Sequence, residues 1–191
     1  MYGVRIRRIM DETKKRVEAV GPVTAKICIV GEAPGETEEK EGKPFVGQAG
    51  RVLDGLLEEC SISRSSCYIT NVHKFRPRNN DFSSISESDL AASYRELEEE
   101  IMLVHPNILV LCGNEAMQAI LGFKGIQHYR GSILESKYGK CIPGIHPAAI
   151  AREWTFRPAT VIDFIKVKKE SEYAEIKRTH RNLVIADTFA C

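Results

Sequence analysis

Four side chains, far apart along the chain, carry the chemistry this sequence could perform: Glu32, Phe45, Asn71 and His146. Glu32 directly follows an apolar run, so its carboxylate is partly desolvated and must be paired or used. Such a group can activate water or stabilise a developing cation. It can equally cap the amides of its own turn. Phe45, in KPFVG, can stack on a flat ligand or pack into the core. Asn71 offers a donor and an acceptor, as reading the edge of a base requires, although Asn is also a turn former. His146 precedes Pro147, which keeps its backbone extended. Its ring can hydrogen-bond an anion in either protonation state, or serve only structure.

The residues around these four narrow the chemistry. Gly31 and Gly35 bracket a tight turn whose amides could hold an anion, or hold nothing. No Gly-Lys-Ser/Thr follows, so it is not a P-loop, and the G-x-G-x-x-G spacing of a dinucleotide site is missing. Glu36, Glu38, Glu39 and Glu41 read individually as solvated acids. Lys74, Arg76, Arg78, Arg152 and Arg157 could touch phosphates or simply face water.

The elements that must position these groups alternate between strand and helix. Residues 6–20 show near-helical apolar spacing, Ala25–Val30 reads as a buried strand, and Gly47–Cys60 as a helix with Leu53, Leu56 and Leu57 on one face. Cys67–Val72 is a second strand, followed by a loop rich in turn residues. Ser86 caps a long helix with Glu87 and Asp89 in its first turn. Ile108–Cys112 is a third strand, Asn114–Leu121 a helix, Gly139–Ile145 a turn and fourth strand, and Thr160–Lys169 a helix. The expected fold is α/β: a three-layer α/β/α sandwich around a central, mostly parallel four-stranded sheet. Residues 1–191 are expected to form a single domain, with its core over about 22–170 and residues 171–191 a tail or the start of another element. In such sheets ligands gather at the carboxyl ends of the strands. That brings Gly31–Gly35, Asn71–Arg78 and His146–Arg152 to one rim.

Composition excludes several classes. The chain has 191 residues, 43% apolar and 28% charged, with a net charge of +1. These are globular values without a global field for nucleic acid, so a DNA role needs local basic patches. No apolar run is long enough to span a membrane, and the N-terminus has no secretory apolar stretch. A cytoplasmic monomer is expected. The six cysteines form no C-x-x-C pair and read as buried thiols, with no metal site.

Taken in order, "GEAPGETEEKEGKPFVGQAG", "NVHKFRPRNN", "LCGNEAMQAILG" with "YRG", and "IHPAAIAR" resemble the uracil-DNA glycosylase superfamily, nearest to family 4. The match runs from about Ala25 to Arg152 and more loosely to Lys169. The resemblance implies a pocket for a base flipped out of DNA. In it, Glu32 and His146 are catalytic, and Gly31, Ala33, Glu38, Phe45 and Asn71 bind the substrate base, with Glu38 placed to crowd a thymine methyl. Gly35, Arg76, Arg130, Gly131, Pro147, Ala148 and Arg152 would bind DNA. The implied reaction is hydrolysis of the N-glycosidic bond of uracil, or of a related deaminated or modified pyrimidine, in single- or double-stranded DNA.

The sequence also departs from that pattern. Family-4 members usually carry four cysteines for an iron-sulfur cluster; here the first 27 residues hold none, Phe75 takes the third position, and Ala91 or a neighbour the fourth. No cofactor is therefore expected, and Phe75 is expected to pack where the cluster would sit. Ala148 stands where the family often has serine. The loop before His146 lacks the basic insertion of the branch that links covalently to DNA. The stretch "EWTFRPATVIDFIKVKKES" resembles glycosylase-like domains beside phage-type DNA polymerases. A rival reading follows: a glycosylase-fold DNA-binding or accessory module of a replication or repair complex, with replication proteins as partners and little or no catalysis.

Overall fold

A computed structural model describes residues 15–177. Strands β1 (Ile27–Gly31), β2 (Cys67–Asn71), β3 (Ile108–Cys112) and β5 (Gly139–Gly144) run parallel in the order β2-β1-β3-β5. A short strand β4 (Leu134–Ser136) adds antiparallel to β5 at the edge. The sheet therefore has five strands where four were expected. β4 lacks the continuous apolar run of the others; its residues are exposed or half-buried, as an edge strand permits.

The parallel strands are mostly apolar and almost wholly buried because both faces of the sheet are covered. Alternation sorts their side chains into two cores. Ile27, Ile29, Ile108, Val110 and Ile142 point to one face, with Leu53, Leu56 and Leu57 of α2 (Gln48–Glu59), Ile150 of α6 (Pro147–Arg152), and Phe164 and Val167 of α7 (Arg157–Glu170). Cys28, Val30, Leu109, Leu111 and Cys141 point to the other, against Leu97 and Ile101 of α3 (Glu87–Val104) and Ala116 and Ile120 of α4 (Asn114–Leu121). This is the three-layer α/β/α architecture. Ser86 caps α3 by accepting from the Asp89 amide.

The helix expected over residues 6–20 is corrected where the structure describes it. Residues 15–19 are not helical, and Val20 forms an antiparallel bridge with Ile69 of β2. Val17 donates to the carbonyl of Lys74, so this segment lies along β2 and its following loop. The rest of that helix, and the strand expected near the C-terminus, fall outside the described residues. The five described cysteines are all buried.

With β1 flanked by β2 and β3, the chain reverses its direction of winding beside β1. That switch point opens a crevice at the carboxyl ends of the strands.

Candidate active site

A cleft of about 480 Å³ opens at that crevice, lined by Glu32, Ala33, Gly35, Glu38, Phe45, Asn71, His146, Ala148 and Arg152 among others. The four chemically competent residues thus meet in one place.

Asn71 ends β2 and is 5% exposed. Its side-chain amide makes no hydrogen bond with any described residue, and the residue borders the cleft. Underneath, the strand end is pinned by Lys74, whose ammonium donates to the Asn71 carbonyl (2.8 Å), the Thr70 hydroxyl (2.6 Å) and the Glu100 carboxylate (2.7 Å). Lys74 is 1% exposed, and burial pulls its pKa below the usual lysine value. The reading of Lys74 as a phosphate contact is therefore corrected. A lysine followed by arginines at 76 and 78 gives no sign that a glutamate in α3 awaits it.

Phe45 is buried, with its ring 5.7 Å from the His146 ring and inclined by 29°. Its backbone sits at φ 52°, the left-handed region, which costs of order 1–3 kcal/mol for a residue with a side chain. The surrounding fold must hold it there. Two glycines make that possible. A Cβ on Gly31 would lie 2.3 Å from the Asn71 amide oxygen and 2.6 Å from the Phe45 ring, and one on Gly50 2.0 Å from the Phe45 carbonyl.

Glu38, of α1 (Glu36–Glu41), is not the solvated acid that its local sequence suggests. Its carboxylate accepts from the amides of Gly35 (3.2 Å), Val46 (3.1 Å) and Gly47 (2.8 Å), so it ties the start of α1 to the end of the loop that carries Phe45. The signal that it turns inward is tertiary. Arg64 was missed altogether: its guanidinium donates to the carbonyls of Pro44 and Phe45 and pairs with Asp54.

His146 caps α6. Its Nδ1 accepts from the Ala148 amide at 3.1 Å, which leaves the ring proton on Nε2. Burial, helped by the nearby Arg152 charge, pushes its pKa down to about 4, so the ring is a neutral donor at pH 7. Glu32 moves the other way. Burial, and then repulsion from Glu115, raise its pKa above the usual carboxylate value, while Lys124 and Arg152 oppose that rise.

The expected DNA-binding residues divide. Gly35, Ala148 and Arg152 line the cleft. Arg76 lies nearby, bonded to Asn80 and paired with Glu36 and Glu39. Pro147 is buried at the start of α6. Arg130 and Gly131 are not among the residues that line the cleft. Arg130 follows the short helix α5 (Ile126–Tyr129) and donates to the Ala159 carbonyl and the Asp163 carboxylate. A Cβ on Gly131, at φ 70°, would lie 2.2 Å from Asp163. This pair is a joint between α5 and α7.

The residues where a family-4 cluster would bind do not fit one. The Phe75 ring lies 5.9 Å from the His73 ring, with the Arg16 guanidinium 5.8 Å above it, and Arg16 pairs with Glu96 and Glu18. Ala91 is exposed. Phenyl and methyl groups cannot ligate iron, and the described thiols are spread through the core. Among the described residues no three His, Cys, Asp or Glu side chains are grouped to hold a metal.

The family model of the uracil-DNA glycosylase superfamily matches residues 18–167. Among curated proteins, the chain is 36% identical over 160 residues to a type-4 uracil-DNA glycosylase of Archaeoglobus fulgidus, covering 79% of each. It is 35% identical over 163 residues to one of Sulfurisphaera tokodaii, covering 80% of this chain and 73% of that protein. It is also 26% identical over 152 residues to a DNA polymerase of Bacillus phage SP01, covering 79% of this chain but 16% of the polymerase.

Proposed function

This chain belongs to the uracil-DNA glycosylase superfamily, and from that premise we propose that it hydrolyses the N-glycosidic bond of uracil flipped out of DNA. The observation that carries the reading is the meeting of Glu32, Phe45, Asn71 and His146 in one cleft.

In this mechanism the extruded base stacks on Phe45, recovering on the order of 1–3 kcal/mol of the stacking lost from DNA. Asn71 reads the Watson–Crick edge: its amide oxygen accepts from uracil N3–H and its amide nitrogen donates to O4. Cytosine presents the opposite pattern at both atoms and leaves two groups unpaired. As the bond from C1′ to N1 breaks, its electron pair passes to the base, and charge collects on O2. The neutral His146 donates Nε2–H to that oxygen without losing a full proton to it. The sugar becomes cationic, and the Glu32 carboxylate stabilises it, orients the water that adds to C1′ and takes that water's proton, while the released uracil anion is protonated from solvent. Gly35, at the cleft wall, presents backbone without a side chain to the approaching nucleotide.

The test is cleavage of labelled oligonucleotides bearing U:G, U:A, single-stranded U or a modified pyrimidine, followed by alkali. Alkali-labile abasic product from a uracil substrate supports the proposal. Tight binding without product supports the second reading, a non-catalytic accessory module. The polymerase relative favours that alternative, since the matched segment there is a small part of a replicative protein.

A further inference from the structure

The turn that carries Phe45 is held from two sides by opposite charges. On one side Glu38 Oε1 takes the Val46 and Gly47 amides at 3.1 and 2.8 Å. On the other, one Arg64 nitrogen, Nη2, donates to the carbonyls of Pro44 (3.0 Å) and Phe45 (2.9 Å). The second terminal nitrogen, Nη1, is held at 2.6 Å by Asp54 of α2. Arg64 sits in the short turn Arg64–Ser66 ahead of β2, so it reaches a loop 19 residues earlier in the chain.

We propose that Arg64, oriented by Asp54, is a positioning residue for base recognition: it locks the Phe45 turn in the left-handed conformation that seats the ring beside His146. The physical reason lies in what that turn lacks. At φ 52° Phe45 is outside helix and strand, and it packs against Gly50 so closely that no side chain fits between them. Its carbonyl and that of Pro44 need a donor, and the conformation needs a compensating hold. A planar guanidinium can span two carbonyls with one nitrogen and meet a carboxylate with another. A lysine ammonium is a point donor on a flexible stem and cannot reproduce that fork. The proposal rests on the reading of Phe45 as the stacking surface.

The experiment uses the full chain and Arg64→Ala, Arg64→Lys, Asp54→Asn, Phe45→Ala and Phe45→Ala/Arg64→Ala. Single-turnover uracil release, urea unfolding, and hydrogen exchange at the amides of Phe45, Val46 and Gly47 are measured together. Arg64→Ala and Arg64→Lys are each expected to slow release about tenfold or more, and Asp54→Asn less. Arg64→Ala should accelerate exchange at those three amides about tenfold while the β1 amides stay protected. The double variant should be no slower than Phe45→Ala alone, because a residue acting through the ring has nothing to add once the ring is gone. Losses that multiply in the double variant, or unaltered exchange at 45–47, would overturn the proposal. If the unmodified protein releases no uracil, it is the excision reading that fails. The exchange measurement then still decides whether Arg64 holds the turn.

Discussion

The rings of Phe45 and His146 stack across the cleft, 5.7 Å between centroids and 29° from parallel. The aromatic face offered to a base and the imidazole proposed to receive its charge are therefore packed as one unit. Replacing Phe45 with leucine keeps most of the buried volume and removes the π face. We expect single-turnover uracil release to fall about 5- to 150-fold, the equivalent of 1–3 kcal/mol of stacking. The unfolding free energy should change by less than about 1.5 kcal/mol. A rate within twofold of the parent would remove Phe45 from the site.

In the proposed mechanism Asn71 and His146 touch the base, whereas Glu36 is exposed and paired with Lys40 on its own helix at 2.5 Å. Asn71→Ala and His146→Ala should each lower the single-turnover rate about 10²–10³-fold, the usual cost of deleting one preorganised group. Glu36→Ala should stay near the parent rate, since an exposed pair of this spacing is screened by water and contributes little. Equal losses in all three would contradict the assignments.

The pH dependence should separate the two catalytic groups. Glu32 must be ionised to act, and its raised pKa places the acid limb of the rate above the usual carboxylate range. Glu115→Gln removes a like charge and should move that limb to lower pH; Lys124→Met removes an opposing charge and should move it higher. His146, neutral down to a pKa of about 4, should show no inflection near the ordinary histidine value. For stability the sign is the same. The unfolded chain protonates His146 first as pH falls below the ordinary value, so its contribution is present above that value and is lost toward pH 4. A histidine proton resonance titrating near 6.5 and assigned to His146 would refute this.

The Lys74–Glu100 pair, 1% and 15% exposed, lies under the strand end that presents Asn71. Lys74→Met leaves a carboxylate largely buried and an Asn71 carbonyl without its donor. Chemical denaturation should show a loss of about 3–5 kcal/mol, with much of it recovered in Lys74→Met/Glu100→Leu. Uracil release should fall in the single variant as the Asn71 backbone loosens. A neutral single variant would mean the pair is not the anchor described.

Phe75 with Arg16 above it occupies the position where a family-4 cluster would require a thiolate. The purified protein should be colourless, carry iron far below one cluster per chain, and release uracil at the same rate after chelator treatment. Stoichiometric iron with the brown colour of a thiolate cluster would overturn the sequence-based expectation.

The four parallel strands and the four cleft residues were legible in the sequence because each leaves a local mark; the strand order and the edge strand β4 were not. Apolar runs end at Gly31, Asn71 and Gly144, and a fold of alternating strands and helices brings those ends to one edge. The specific spacing of the motif blocks added the family. The resemblance assigned Glu38 and Arg130 roles toward DNA, but the inward partners of Glu38, Lys74 and Arg130 left no local mark in the sequence. Their local surroundings, acidic for Glu38 and basic or polar for the others, are what a solvated surface also looks like.

By itself, the sequence determined the layered fold, which short-range periodicity encodes, while its resemblance to a known family singled out the side chains suited to stack on a base, read it and stabilise charge. Only the tertiary structure decided which charges turn inward, because their partners are remote. Arg64 meets Phe45 across 19 residues, Lys74 meets Glu100 across 26, and Arg130 meets Asp163 across 33. The protonation states of His146 and Glu32 belong to the same class. A pKa is set by burial and by neighbouring charge, and neither exists until the chain has folded.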